Sequence, residues 1–89
     1  MEPNTPIPIE MYYTFTCPNC KILSRMLDEV LPEFGDKFVL HKRHANAPLN
    51  MIRTMQLGIH AVPALLIDHK VEFRSVPKKE DLIAKLSSY

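Results

Sequence analysis

The chain has 89 residues with 46% hydrophobic content, enough for one core but short for a large multi-part active site. Eleven Lys and Arg against ten Asp and Glu leave a formal charge of +1, so no broad field draws the protein to nucleic acid or to an anionic membrane surface. Met1–Pro6 carries neither a basic leader nor an apolar run, and no segment reaches membrane-spanning length. The expectation is therefore a single cytoplasmic domain over residues 1–89, acting as a monomer. In that reducing setting two cysteines are more often catalytic or metal-binding than a permanent staple.

No repeat, low-complexity tract or linker interrupts the chain; the eight prolines are scattered and there are only two glycines. Ile7, Ile9, Met11 and Tyr13 recur at period two and predict a first strand running toward Phe15, with Pro8 near its start. From Pro18 the period changes. Ile22, Leu23, Met26, Leu27, Val30, Leu31 and Phe34 form an amphipathic stripe, which predicts a helix opened by Pro18, ended or kinked at Pro32 and followed by a Gly35-Asp36 turn. Phe38–Arg43 reads as a second strand. Asn46 and Pro48 start a shorter helix carrying Leu49, Ile52 and Met55, which Gly58 closes.

Beyond the Ala61-Val62-Pro63 loop, the continuous apolar run Ala64–Ile67 suits a central strand covered on both faces. Asp68-His69-Lys70 turns it into an antiparallel partner, Val71–Arg74, and Pro77 opens a last helix with Leu82, Ile83 and Leu86 facing inward. The order β-α-β-α-β-β-α gives an α/β fold, a four-stranded mixed sheet flanked by three helices. Helical connections predict that the first three strands pair in parallel, with the hairpin adding an antiparallel edge.

Cys17 and Cys20 fall between the first strand and the first helix. As a staple, a bridge closing so short a loop contributes only roughly 2 kcal/mol. As a redox pair the spacing is suitable, because two intervening residues let the sulfurs meet and part with little movement. The attacking sulfur must be a thiolate, and a free cysteine titrates at about 8.5. Cys17 stands at the helix cap, where unpaired N–H groups and the positive dipole end favour an anion by about 0.3 to 2 kcal/mol, and hydrogen bonds from Cys20 add to this. Cys20 precedes Leu23 and Leu27 by three and seven residues and so leans toward the core, whereas Cys17 is open to solvent. These positions assign Cys17 as nucleophile and Cys20 as the resolving thiol.

The sequence resembles the thioredoxin superfamily, and more closely its small, glutaredoxin-sized members. Three features carry the resemblance: Cys17-Pro18-Asn19-Cys20 after the first strand, Gly58-Ile59-His60-Ala61-Val62-Pro63 before an apolar strand, and Val76–Leu82 opening the last helix. The resemblance implies a thioredoxin-like fold, a cis peptide before Pro63 lying against the cysteines, and a Val62 backbone free to pair with an extended substrate. It also implies protein disulfide substrates and a flavoprotein of the thioredoxin reductase type, or glutathione, as electron donor. Three departures stand beside it. Thioredoxins place a tryptophan before the first cysteine, where Thr16 stands here, a Gly-Pro pair where Pro18-Asn19 stands, and a buried aspartate where Met11 stands. Arg74–Pro77 lacks the glycines with which glutaredoxins hold glutathione.

Other residues admit plainer roles beside functional ones. His60, three residues before Pro63, stands where an imidazolium would favour the Cys17 thiolate. Thr16 is placed to hydrogen-bond Cys17, and Lys21, though it opposes the helix dipole, to support a thiolate. Tyr12, Tyr13 and Phe15 read as core, and His41–His44 as a solvated strand end. A zinc finger does not match, since 20 residues separate the cysteines from His41 and the histidines are two apart. The expected activity is that of a protein-disulfide reductase needing no metal or organic cofactor beyond the Cys17–Cys20 disulfide. Alternatives are a glutathione-dependent, glutaredoxin-type enzyme and a non-enzymatic module whose cysteines hold a metal or a persulfide.

Overall fold

The computed structural model describes residues 5–89, so Met1–Asn4 of the stretch read for a leader lies outside it. The elements are β1 (Ile7–Tyr13), α1 (Pro18–Val30), a 3-10 turn (Leu31–Phe34), β2 (Phe38–His44), α2 (Pro48–Gln56), β3 (Ala64–Ile67), β4 (Lys70–Phe73) and α3 (Lys79–Ser87). This is the thioredoxin-like order, and the sheet runs β2-β1-β3-β4.

The period-two pattern of β1 divides its side chains between two layers. Ile9 and Met11 join Leu65 and Ile67 of β3 against Leu23, Leu27 and Val30 of α1 and Leu82 and Leu86 of α3, forming the main core. Tyr12 faces the other way, into a smaller cluster with Ile59, Ala64 and Leu66. All four β3 residues are buried, as expected of a strand covered on both faces.

Several sequence expectations are corrected. β2 pairs parallel to β1, Ile7 opposite Phe38 through Tyr13 opposite His44, but β3 pairs antiparallel, Tyr12 opposite Ala64 and Ile9 opposite Ile67. A parallel crossover requires the connection to carry the chain back to the starting end of the sheet. Here the nine residues of α2, about 14 Å of helix, cross the back of the sheet instead, and β3 starts beside the end of β1. β1 stops at Tyr13 and turns at Phe15-Thr16. α1 ends at Val30, just before Pro32 as expected, and continues as the 3-10 turn, whereas Ile22 is exposed rather than part of the buried stripe.

The cap of α2 is Ala47 rather than Asn46. Lys78, not Pro77, caps α3, and Glu80 and Asp81 in its first turn complement the helix dipole. At the end of α2, Gly58 at φ 69° permits a Schellman closure, in which Ile59 N–H donates to Thr54 O and Gly58 N–H to Met55 O. The β3–β4 turn is tighter than expected: Asp68 and His69 both take positive φ, the two-residue hairpin geometry that matches strand twist, and β4 begins at Lys70.

The apolar stripe of α2 points to solvent: Leu49 is 82%, Ile52 55% and Met55 77% exposed. Glu10, one residue before Met11 and 2% exposed, faces α2, and its carboxylate accepts from Arg43 Nε at 2.8 Å and Arg53 Nη2 at 3.1 Å. An unpaired carboxylate there would carry a large desolvation penalty. Arg53 on α2 answers it, Asn50 donates to His44 O at 2.9 Å, and the helix must turn its polar side to the sheet. Tyr12 lies in the same layer. Burial raises its phenol pKa, and the Glu10 charge raises it further, against opposing effects of Arg53 and Arg43.

Candidate functional site

Cys17 closes the loop after β1 and caps α1 in extended geometry, with φ −101° and ψ 104°. Pro18 follows in the first turn, where its missing N–H costs no hydrogen bond. The cap side chain is the sulfur: Cys17 Sγ accepts from Cys20 N–H at 3.1 Å. Cys17 and Cys20 are joined as a disulfide with Cα atoms 5.2 Å apart. Cys20 is 2% exposed among core residues of α1, as helical spacing predicted, while Cys17, expected to be open to solvent, is half-buried.

The loop before β3 brings Val62 to the pair. Its carbonyl oxygen is 3.9 Å from Cys17 Sγ, and the peptide linking it to the buried Pro63 is cis. Val62 precedes the first ladder residue of β3, so the backbone beside the sulfur lies outside the sheet. Thr16, Pro18 and Asn19 are exposed around Cys17. His60 is exposed too, and it lines a groove of about 270 Å³ with Thr14, Met51, Met55 and Val62, on the α2 side of the loop. Arg74 Nη1 ties this loop down by donating to Gly58 O at 2.9 Å.

Behind the pair, a second cavity of about 330 Å³ is lined by Cys20, Met11, Tyr13, Phe15 and Lys42. Met11 offers no carboxylate to take a proton there, and the nearby carboxylate Glu10 belongs to the opposite face of the sheet, paired with Arg53. Lys42 Nζ reaches out to Asp28 at 3.1 Å. Phe15, read as core, is 72% exposed and stacks on His44 with ring centroids 4.2 Å apart. Tyr12 is buried as read, and His44 is half-buried against Tyr13 and Phe15 rather than solvated.

A family model described as a thioredoxin domain matches residues 7–87. The chain belongs to the thioredoxin family. Curated thioredoxin relatives include a probable thioredoxin of Methanothermobacter thermautotrophicus, 32% identical over 79 residues, covering 89% of this chain and 91% of that one. A thioredoxin of Methanocaldococcus jannaschii is 34% identical over 77 residues, covering 86% and 88%. Among solved structures, thioredoxin-2 of the malaria parasite superposes with a TM-score of 0.75 at 16% identity, covering 94% of this chain and 84% of that one. A mutant thioredoxin from Halobacterium salinarum gives 0.72 at 21%, covering 93% and 74%. These two show the thioredoxin fold.

The thioredoxin pair Cys17–Cys20 makes the chain a thiol-disulfide oxidoreductase. Sequence reasoning missed Glu10, which lies within the period-two run of β1 yet fixes how α2 sits beside the redox loop. An acid in the middle of a strand buried on both faces was the available signal, since such a residue demands cationic partners.

Proposed function

We propose that this thioredoxin-family protein is a protein-disulfide reductase in which Cys17 is the nucleophile and Cys20 the resolving thiol. One observation carries the reading: Cys17 Sγ is partly open and accepts the Cys20 N–H, while Cys20 is closed off in the core. The Cys17 thiolate attacks a substrate disulfide and forms a mixed disulfide, and one substrate sulfur leaves as thiolate. Cys20 then loses its proton and attacks Cys17 Sγ. The Cys17–Cys20 bond forms, the bond from Cys17 to substrate breaks, and the second substrate sulfur leaves as thiolate and takes up a proton. The substrate gains two electrons and the protein loses them.

Around this step Val62 presents backbone to an extended substrate, Pro63 supports it, and Thr16, Pro18, Asn19 and His60 shape the rim. Re-reduction is assigned to a flavoprotein of the thioredoxin reductase type, in a reducing, cytoplasmic setting, with the chain working as one domain and one copy. No organic cofactor or metal takes part in the proposed cycle.

With dithiothreitol as electron source, the protein is expected to reduce insulin disulfides, and Cys17→Ser to abolish the reaction. Retained activity in Cys17→Ser overturns the reading. A Cys17–Cys20 potential near about −270 mV supports a reductant, while one near about −120 mV assigns the reverse direction. Stoichiometric metal on both sulfurs after purification under reducing conditions would replace the enzyme with a binding module.

A further inference from the structure

α2 is an amphipathic helix mounted with its polar side to the sheet. Arg53 and Asn50 are held inward by Glu10 and the His44 carbonyl, which leaves Leu49, Met51, Ile52 and Met55 between 49% and 82% exposed. Single exposed apolar residues are ordinary, but four on one nine-residue helix form a patch of the kind that marks an interaction site.

We infer that this outward face of α2 docks an apolar, extended segment of the protein disulfide substrate, next to its cystine. The inference rests on the reductase reading. Continuity with the redox centre supports it first. Met51 and Met55 wall the groove whose other side is Val62, and Val62 O lies 3.9 Å from Cys17 Sγ. A substrate chain with its sulfur at Cys17 and its backbone along Val62 therefore runs off toward α2.

Charge supports it next. Among the described residues no Asp, Glu, Lys or Arg lines that groove, so nothing among them selects a charged segment. Area decides between occupants. At roughly 100–150 Å² each, the four side chains offer on the order of 500 Å², below the ~800 Å² per partner of a stable complex, as suits a substrate that must leave rather than a permanent second copy. The two methionines adapt to varied apolar sequences, which suits a reductase of many substrates.

The test compares wild type with a Leu49→Gln, Ile52→Gln double variant; both side chains are exposed and Gln is a good helix former, so the fold is retained. Three disulfides serve as probes: the small aromatic dithiobis(nitrobenzoate), a peptide disulfide with Leu, Val and Phe over six positions beside its cysteine, and the same peptide with Ser and Gln there. Wild type is expected to prefer the apolar peptide by about tenfold in kcat/KM, mostly through KM. The double variant is expected to lose that preference to within about twofold while reducing the small disulfide at the wild-type rate. A preference kept by the variant, or absent in wild type, overturns the inference, as does loss of small-disulfide reduction in the variant alone. Failure of wild type on the small disulfide overturns the reductase reading itself. A concentration-dependent dimer in sedimentation, abolished by the variant, assigns the face to a second copy and also overturns the proposal.

Discussion

Replacing Glu10 by Gln removes the charge around which α2 is oriented. The carboxylate accepts two charge-assisted hydrogen bonds, from Arg43 at 2.8 Å and Arg53 at 3.1 Å, while itself only 2% exposed. Each such bond contributes about 1.5–3 kcal/mol net, but the arginine side chains are 37% and 43% exposed and partly regain water when their partner goes, which favours the low end. The expected loss is about 2–4 kcal/mol, which at a typical urea m-value moves the unfolding midpoint down by roughly 1–2 M. Far-UV circular dichroism against urea at pH 7 reads it. A matched apolar replacement, Glu10→Leu with Arg43→Met and Arg53→Met, is expected to recover much of the loss, because none of the three charges is then left to desolvate. A change below about 0.5 kcal/mol in Glu10→Gln would refute the reasoning, since the carboxylate would then not be what holds the polar side of α2 inward.

The cysteine pair yields two further tests. In the reduced protein, Cys17 is expected to ionise below the ordinary thiol value, stabilised by the α1 N-terminus and the Cys20 N–H, so thiolate absorbance at 240 nm should appear at lower pH in wild type than in an unfolded control and vanish in Cys17→Ser. Cys20→Ser should accumulate a stable mixed disulfide between Cys17 and substrate, read as an intermolecular adduct by mass; an adduct in Cys17→Ser instead would reverse the assigned roles. At the C-terminal end, burial and the hydrogen bond to Glu72 push the Tyr89 phenol up to about 12. The folded state then holds a proton that the unfolded chain gives up near pH 10, so this stability is full below about pH 10 and is lost as pH rises toward 12. Tyr12, also raised, adds to the alkaline loss, so thermal melts of Tyr89→Phe should show a shallower alkaline decline, not a flat one. Glu72 is held below its ordinary value, chiefly by the Tyr89 hydroxyl, so its contribution is present above that value and is lost as pH falls through the lowered one. Tyr89→Phe should weaken that acid dependence as well.

Local pattern determined a good deal by itself. The period-two run ending at Tyr13, the change of period at Pro18 and the two cysteines between them placed a redox pair at a strand-to-helix junction, and spacing to Leu23 and Leu27 placed Cys20 inward. Such features depend on neighbours within one or two turns, so they are written in consecutive residues. Only the tertiary structure decided that β3 runs against β1, that Phe15 lies out on His44, and that α2 shows its apolar stripe to solvent. A helical period says that Leu49, Ile52 and Met55 share a side; it does not say which side meets the sheet. That choice belongs to Glu10, whose arginine partners lie 33 and 43 residues along the chain. A buried charge must be answered wherever its partners come from, and here that requirement outweighed the hydrophobic stripe of a short helix.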